Sequence, residues 1–176
     1  MLDLMWTKVA NGARRVRQTR VMRRFIRQQE GSAAVEFGMV AAPFLALIFA
    51  IMETAVADSG RLIMTGQAQT QGFDGGAFKN AVCARIFGLF DCQAGVYIDV
   101  KTFTSFAAVS MPSPVDANGN FQNNFGYAPG GPGDIVVVRL FYQWPVYVSL
   151  LGFNLQNMSG GKRLLIATAA FRNEPY

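Results

Sequence analysis

The sequence predicts an α+β fold in which an N-terminal transmembrane helix leads into a small exported domain, with one helix on an antiparallel sheet of about three strands. Three observations predict it. A charge-free apolar run extends from Phe37 to Met52, a cationic excess is confined to the residues before it, and strand-like apolar runs follow it. Composition agrees: 51% of the 176 residues are hydrophobic and 15% are charged, against an ordinary charged share of about 25%. The chain contains no His, which removes the commonest general base and metal ligand, so triads and two-His zinc sites are excluded.

The net charge of +5 has a location. Residues 1–30 carry Lys8, Arg14, Arg15, Arg17, Arg20, Arg23, Arg24 and Arg27 against Asp3 and Glu30, a balance of +6, which leaves 31–176 at −1. Lys and Arg flanking an apolar segment stay on the cytoplasmic side, so the remainder is expected to be exported. At helical spacing Val21, Met22, Phe25 and Ile26 share one side while Arg20, Arg23, Arg24 and Arg27 share the other. This stretch reads as a basic amphipathic helix on an anionic leaflet, or as a solvated leader. Nucleic acid is not the expected partner, because Phe25 is the one aromatic among the arginines and an apolar segment begins within ten residues.

The sixteen residues Phe37–Met52 make roughly 24 Å of helix, short of a hydrocarbon core of about 30 Å. Counting back through Ser32, Ala33, Ala34 and Val35 lengthens the segment and brings Glu36 inside it. An ionisable group within an apolar span is costly and points to function. Gly31-Ser32-Ala33-Ala34-Val35-Glu36-Phe37 sets a small residue, four neutral residues, a Glu and an aromatic between a basic arm and an apolar helix. This resembles the prepilin-peptidase site of the type IV pilin superfamily, in the form found in tight-adherence (Tad, or Flp) pilus proteins.

The resemblance implies cleavage after Gly31, Ser32 as the new N-terminus, and Glu36 as the assembly carboxylate at the fifth mature position. In a helix Ser32 and Glu36 are i and i+4 neighbours, so the carboxylate favours the new helix N-terminus and its amine. In a packed filament it meets a neighbouring subunit's amine instead, resolving two buried charges together. The expected divisions are a basic cytoplasmic leader over 1–31, a pilin-like transmembrane helix over 32–57 and an extracytoplasmic domain over 58–176. A second processing site stays open: Ala55-Val56-Ala57 fits signal-peptidase cleavage before Asp58. Arg23-Arg24-Phe25-Ile26-Arg27 faintly suggests a twin-arginine signal.

Past Met52 the apolar helix is expected to continue briefly through Leu62 and Ile63 and then fray at Gly66, Gly72, Gly75 and Gly76. Ala77 to Phe90 carries Phe78, Val82, Ile86 and Leu89 at helical spacing, which predicts a second helix with a core-facing stripe. Cys83 and Cys92, the only cysteines, favour a disulfide in an exported domain, although two separate buried thiols also fit. Closing so short a loop contributes roughly 2–3 kcal/mol on the loop-entropy argument. Strands are predicted over Val96 to Phe106, with Tyr97, Asp99 and Lys101 on a polar face, over Asp134 to Trp144 and over Arg163 to Arg172. Met111 to Gly133 is too long for a hairpin and is expected to be a contact surface or a mobile lid. Within it Asp116-Ala117-Asn118-Gly119-Asn120 superficially resembles a calcium loop, but Gly119 is misplaced and Tyr127 stands where the twelfth-position Glu belongs, so it reads as a turn.

Together with Pro43, Glu53, the cysteines and the ending Ala167-Thr168-Ala169-Ala170-Phe171-Arg172-Asn173-Glu174-Pro175, these elements are similar to the TadE-like family, minor pseudopilins of tight-adherence pili. One departure is that Glu53 reaches Gly60-Arg61-Leu62 in seven residues, where relatives run longer. The resemblance implies a non-enzymatic subunit supporting pilus biogenesis, secretion and surface adhesion in the bacterial inner membrane. Its partners would be prepilin peptidase, other Tad/Flp subunits and the lipid bilayer, with no cofactor, metal or small-molecule substrate. The rival reading is a membrane-anchored extracytoplasmic binding module that does not polymerise. For an enzyme, Ser159 near Lys162 is the one candidate nucleophile pair, and Gly160-Gly161 between them reads better as a turn.

Overall fold

The charge-free run is helical, and the helix passes beyond it at both ends: α1 covers Gln29–Met64 with Pro43 inside it. The computed structural model describes residues 29–86, 88, 91–146 and 156–176; the basic arm over 1–28, and Leu89 and Phe90 of the expected second helix, lie outside these residues. The chain divides into two compact units between Pro43 and Phe44. In the first unit the described portion is the opening of α1, where Val35, Met39 and Val40 are 59%, 68% and 69% exposed.

In the second unit α1 does not fray. It stops sharply at Gly66, whose φ of 76° suits a residue without Cβ and whose missing Cβ leaves room for the Tyr176 ring. The carbonyls left over at its end find donors: Met64 O accepts from the Glu174 N–H at 2.8 Å and Ile63 O from Gln69 Nε2 at 3.2 Å. A single turn, α2 (Gln67–Thr70), follows.

The next helix, α3, spans Gly75–Cys83 and is capped by Asp74, whose carboxylate accepts from the Ala77 N–H at 2.7 Å. It is shorter than the predicted Ala77 to Phe90. Its last turn tightens through Arg85 N–H to Val82 O and Ile86 N–H to Cys83 O, and Cys83 is disulfide-bonded to Cys92 at a Cα separation of 5.6 Å. The chain turns back there into α4 (Cys92–Gly95), capped by Asp91. Phe78, Val82 and Ile86 of the predicted stripe are nonetheless buried, so the periodicity located the core while the turn decided where the helix stops.

Three strands form one antiparallel sheet in the order β1 (Val96–Phe103), β2 (Ile135–Pro145), β3 (Lys162–Arg172). Val100 lies opposite Val138, and Val138 opposite Ala169. The chain is therefore α+β. The main core joins Val96, Val100, Val136, Val138, Leu140, Leu165 and Ala167 from one sheet face with Phe78 and Val82 of α3 and with Ile48, Met52, Val56 and Ile63 of α1. The apolar face of the sheet thus shares its core with two helices, where the sequence suggested one. Gly60 on α1 permits close approach to β3, since a Cβ there would meet the Phe171 ring at 2.8 Å.

The opposite sheet face corrects the expected half-buried strand. Phe141, Met158 and Leu164 are buried there, with Tyr97, Phe121 and Phe125 packed against them, and Asp99 is fully buried rather than solvated. Val115, Phe121 and Phe125 of the segment over 111–133 supply this second cover, so the segment packs as a layer on the sheet. Val115 bridges Phe121, Ser159 N–H donates to Gly119 O at 2.7 Å, and Phe125 stacks on Phe141 at 4.7 Å between ring centroids. Asp116 closes its turn as an Asx cap, accepting from the N–H groups of Asn118 and Asn120. Chiefly the Asn120 N–H holds this carboxyl below its ordinary pKa.

Tyr127 joins the layer to the main core, bridging Val100 and lying 5.4 Å from the Phe78 ring. Its hydroxyl is buried and has no hydrogen-bond partner among the described residues. Burial, followed by the charge of Asp74, pushes the phenol up to about 12. A folded-state value above the unfolded value of 10.0 means that this stabilising contribution is complete below pH 10 and fades as pH rises toward 12. Tyr127→Phe should flatten alkaline destabilisation in that window and leave stability at neutral pH equal or higher, because it deletes an unpaired buried hydroxyl. Denaturant titration at pH 7 and pH 11 measures this; a loss at pH 7 of more than about 1 kcal/mol would reveal a partner for the hydroxyl.

Candidate functional site

Gly31, Ser32, Glu36 and Phe37 all lie on the helical backbone of α1, so the i to i+4 spacing of Ser32 and Glu36 is a helical spacing in the folded chain. Glu36 is exposed, and it is the only charged residue between Glu30 and Glu53. Within the second unit Phe44, Leu47 and Phe49 are 40%, 51% and 39% exposed, whereas Ile48 and Met52 are fully buried.

These exposures divide α1 into two stretches. From Ile48 onward one side turns Ile48, Met52, Ala55, Val56, Ser59 and Ile63 into the core, and the other leaves Glu53, Thr54, Ala57, Asp58 and Arg61 in solvent. That is an ordinary amphipathic domain helix. Among the described residues before Ile48, the apolar side chains of Val35, Met39, Val40, Phe44 and Leu47 stand exposed, with Glu36 the one polar side chain beside them. Water is a poor solvent for such a surface. Met39–Met64 is long and apolar enough to cross a membrane, but its later half is already committed to the domain core.

The other sequence candidates resolve locally. Cys83 and Cys92 form the disulfide, and no free cysteine remains. Ser159 Oγ donates to Asn120 Oδ1 at 3.0 Å while Lys162 Nζ donates to Gln143 Oε1 at 3.1 Å, so each engages its own partner, and Gly160 and Gly161, both at positive φ, form the turn between them. Among the described residues no cluster of His, Cys, Asp or Glu has the makings of a metal site.

No family model, curated protein or solved structure matches the chain.

A buried ion pair in the second unit was not legible in the expected polar face of the first strand. Asp99 and Arg139 are direct cross-strand partners on β1 and β2 and form an ion pair at 2.7 Å, with Arg139 only 7% exposed. Both also reach the covering layer: Asp99 accepts from the Gly126 N–H at 3.2 Å, and Arg139 donates to Pro112 O at 3.1 Å. The Arg139 guanidinium further lies 5.0 Å from the Phe141 ring centroid. A signal for it was present, a lone Arg within the apolar run Ile135-Val136-Val137-Val138-Arg139-Leu140-Phe141, since such a run buries both faces and a charge inside it needs a partner.

Proposed function

We propose that the chain is a TadE-like minor pilin or pseudopilin subunit of a tight-adherence (Flp) pilus assembly and secretion system. In this reading the exposed half of α1 sits in a bacterial inner membrane, with the basic leader cytoplasmic and the domain periplasmic. Prepilin peptidase cuts between Gly31 and Ser32, and Glu36 then guides the apolar helix into register with other pilus subunits.

The observation that carries this reading is the division of α1 at Ile48. Val35, Met39, Val40, Phe44 and Leu47 expose apolar side chains on a stretch of helix whose one charge is Glu36, and a polymer of such helices or a bilayer would remove that surface from water. Ser32 to Leu47 makes about 24 Å of helix, so a short span is available without drawing on the domain core. The same division weighs against cleavage after Ala57. That cut would strip Ile48, Met52, Ala55 and Val56 from the core cluster, and deleting a single large core side chain already costs about 2–5 kcal/mol.

Intact-mass spectrometry of the protein purified from membranes tests the proposal. The expected N-terminus is Ser32. A mature chain starting at Asp58, or one retaining Met1, would overturn the processing claim.

A further inference from the structure

The second unit has a definite end at which the earlier part of α1 is attached. The Phe44 ring lies 6.0 Å from the Trp144 ring, edge to face, and further along the helix Gly60 lies against the Phe171 ring. Trp144 on β2 is opposite Arg163 on β3. Phe44 to Gly60 is about 24 Å of helix and Arg163 to Phe171 about 26 Å of strand, so α1 and β3 run side by side in one direction. Everything before Phe44 is therefore joined to the unit at the end where β2 finishes and β3 begins.

That end combines apolar, aromatic and cationic side chains. Phe44 and Leu47 are 40% and 51% exposed, and Trp144 packs against the margin of the main core while staying half-buried. Lys162 and Arg163 are exposed, and Lys162 Nζ donates to the neutral Gln143 side chain, so its charge is kept. Neither β2 nor β3 contributes an acid, and the connection between them, 147–155, adds no charge of either sign. Asp134 and Glu174 fall at the opposite ends of the same strands, beside Arg172. Of the neighbouring elements, α4 brings Asp91, whose carboxylate is taken up in its cap, and α1 brings Glu53, about 14 Å of helix beyond Phe44.

This set of residues suits the boundary between hydrocarbon and headgroups. Phe side chains enter the apolar side, an indole is most at home at headgroup level, and Lys and Arg reach lipid phosphates. A second copy of the same end would present the same cations and repel them. A lipid surface supplies the opposite charge at the depth where the aromatic rings also belong.

We propose that this end of the domain lies on the headgroup layer of the bilayer through Phe44, Trp144, Lys162 and Arg163, so that the domain is seated on the membrane and not merely tethered to it. The inference rests on the membrane reading of the exposed stretch of α1 and adds a second, separable contact to it.

The test uses the full chain carrying Trp6→Phe, which leaves Trp144 as the single tryptophan. It is reconstituted in phosphatidylglycerol vesicles whose acyl chains are brominated either close to the headgroup or close to the terminal methyl. Shallow bromines should quench Trp144 emission at least twofold, and deep bromines should quench it less. Lys162→Glu combined with Arg163→Glu should at least halve the shallow quenching. Should that variant fail to fold, replacing phosphatidylglycerol by phosphatidylcholine around the parent chain should lower the quenching in the same direction. A chain that alkaline carbonate leaves in the vesicles, but whose Trp144 emission ignores both bromine positions, overturns the seating alone. A chain that carbonate extracts overturns the membrane reading and the seating with it. Shielding of Trp144 that follows the protein-to-lipid ratio and not bromination also overturns the proposal, because the occupant would then be a second copy.

Discussion

Arg139→Ala is expected to lower the stability of the domain by about 3–5 kcal/mol, the usual cost of stranding one member of a buried ion pair. The loss is large for three reasons. Asp99 would remain fully buried with its guanidinium partner gone, Lys101 stands 3.6 Å away but is 37% exposed and too solvated to replace it, and Pro112 O would lose its donor. Asp99→Ala should cost a similar amount through the stranded Arg139 and the released Gly126 N–H. Because each single substitution abandons the other charge, the double variant should be less damaging than the two losses added, with a coupling of about 1–3 kcal/mol. Chemical denaturation of the four proteins measures it. Additivity within about 0.5 kcal/mol would mean that the pair is not a stabilising unit. Limited proteolysis gives a second readout: if the pair fastens the covering layer to the sheet, cleavage within 111–127 should accelerate in both single variants before the sheet core opens.

Glu36→Ala is expected to abolish assembly while sparing the protein itself. Under the pilin-like reading, pilus number and surface adhesion should fall at least tenfold, while the amount of processed subunit in the membrane stays within twofold of the parent. The direction follows from solvation. A carboxylate within a spanning helix costs less near the end of the span, where Glu36 stands, than the roughly 2.5–3.5 kcal/mol of the bilayer centre, but its removal still makes insertion easier, so any loss of pili must arise after insertion. Glu36→Gln keeps the shape and drops the charge; if the role is to meet the amine of a neighbouring Ser32, it should fail nearly as badly as Glu36→Ala. Quantitative adhesion assays with electron microscopy of surface filaments provide the measurement. Normal pili and adhesion in both variants would favour the anchored binding module that never polymerises.

Where local chemistry dominates, the sequence was sufficient. Apolar runs placed β2 and β3 to within a residue, period-two alternation placed the start of β1 and overshot its end by three residues, and Gly160-Gly161 and Asp116 to Asn120 were legible as turns. Each of these depends on neighbours a few positions away. The end of the second helix was legible only in part, because the apolar stripe through Ile86 continues past the point where the turn after Cys83 ends the helix.

What the sequence by itself determined is the linear partition of this protein: a cationic stretch over 1–30, an apolar run preceded by the carboxylate of Glu36, and an α+β domain with the two cysteines Cys83 and Cys92. Charge balance, hydropathy and periodicity are sums over nearby residues, so they can be read without a fold. Only the tertiary structure decided that Ile48 and Met52 belong to the domain core and not to the exposed part of α1, and that Asp99 is buried against Arg139. Those facts turn on which surfaces meet across dozens of residues, where burial depends on the partner supplied by the rest of the chain rather than on the residue itself.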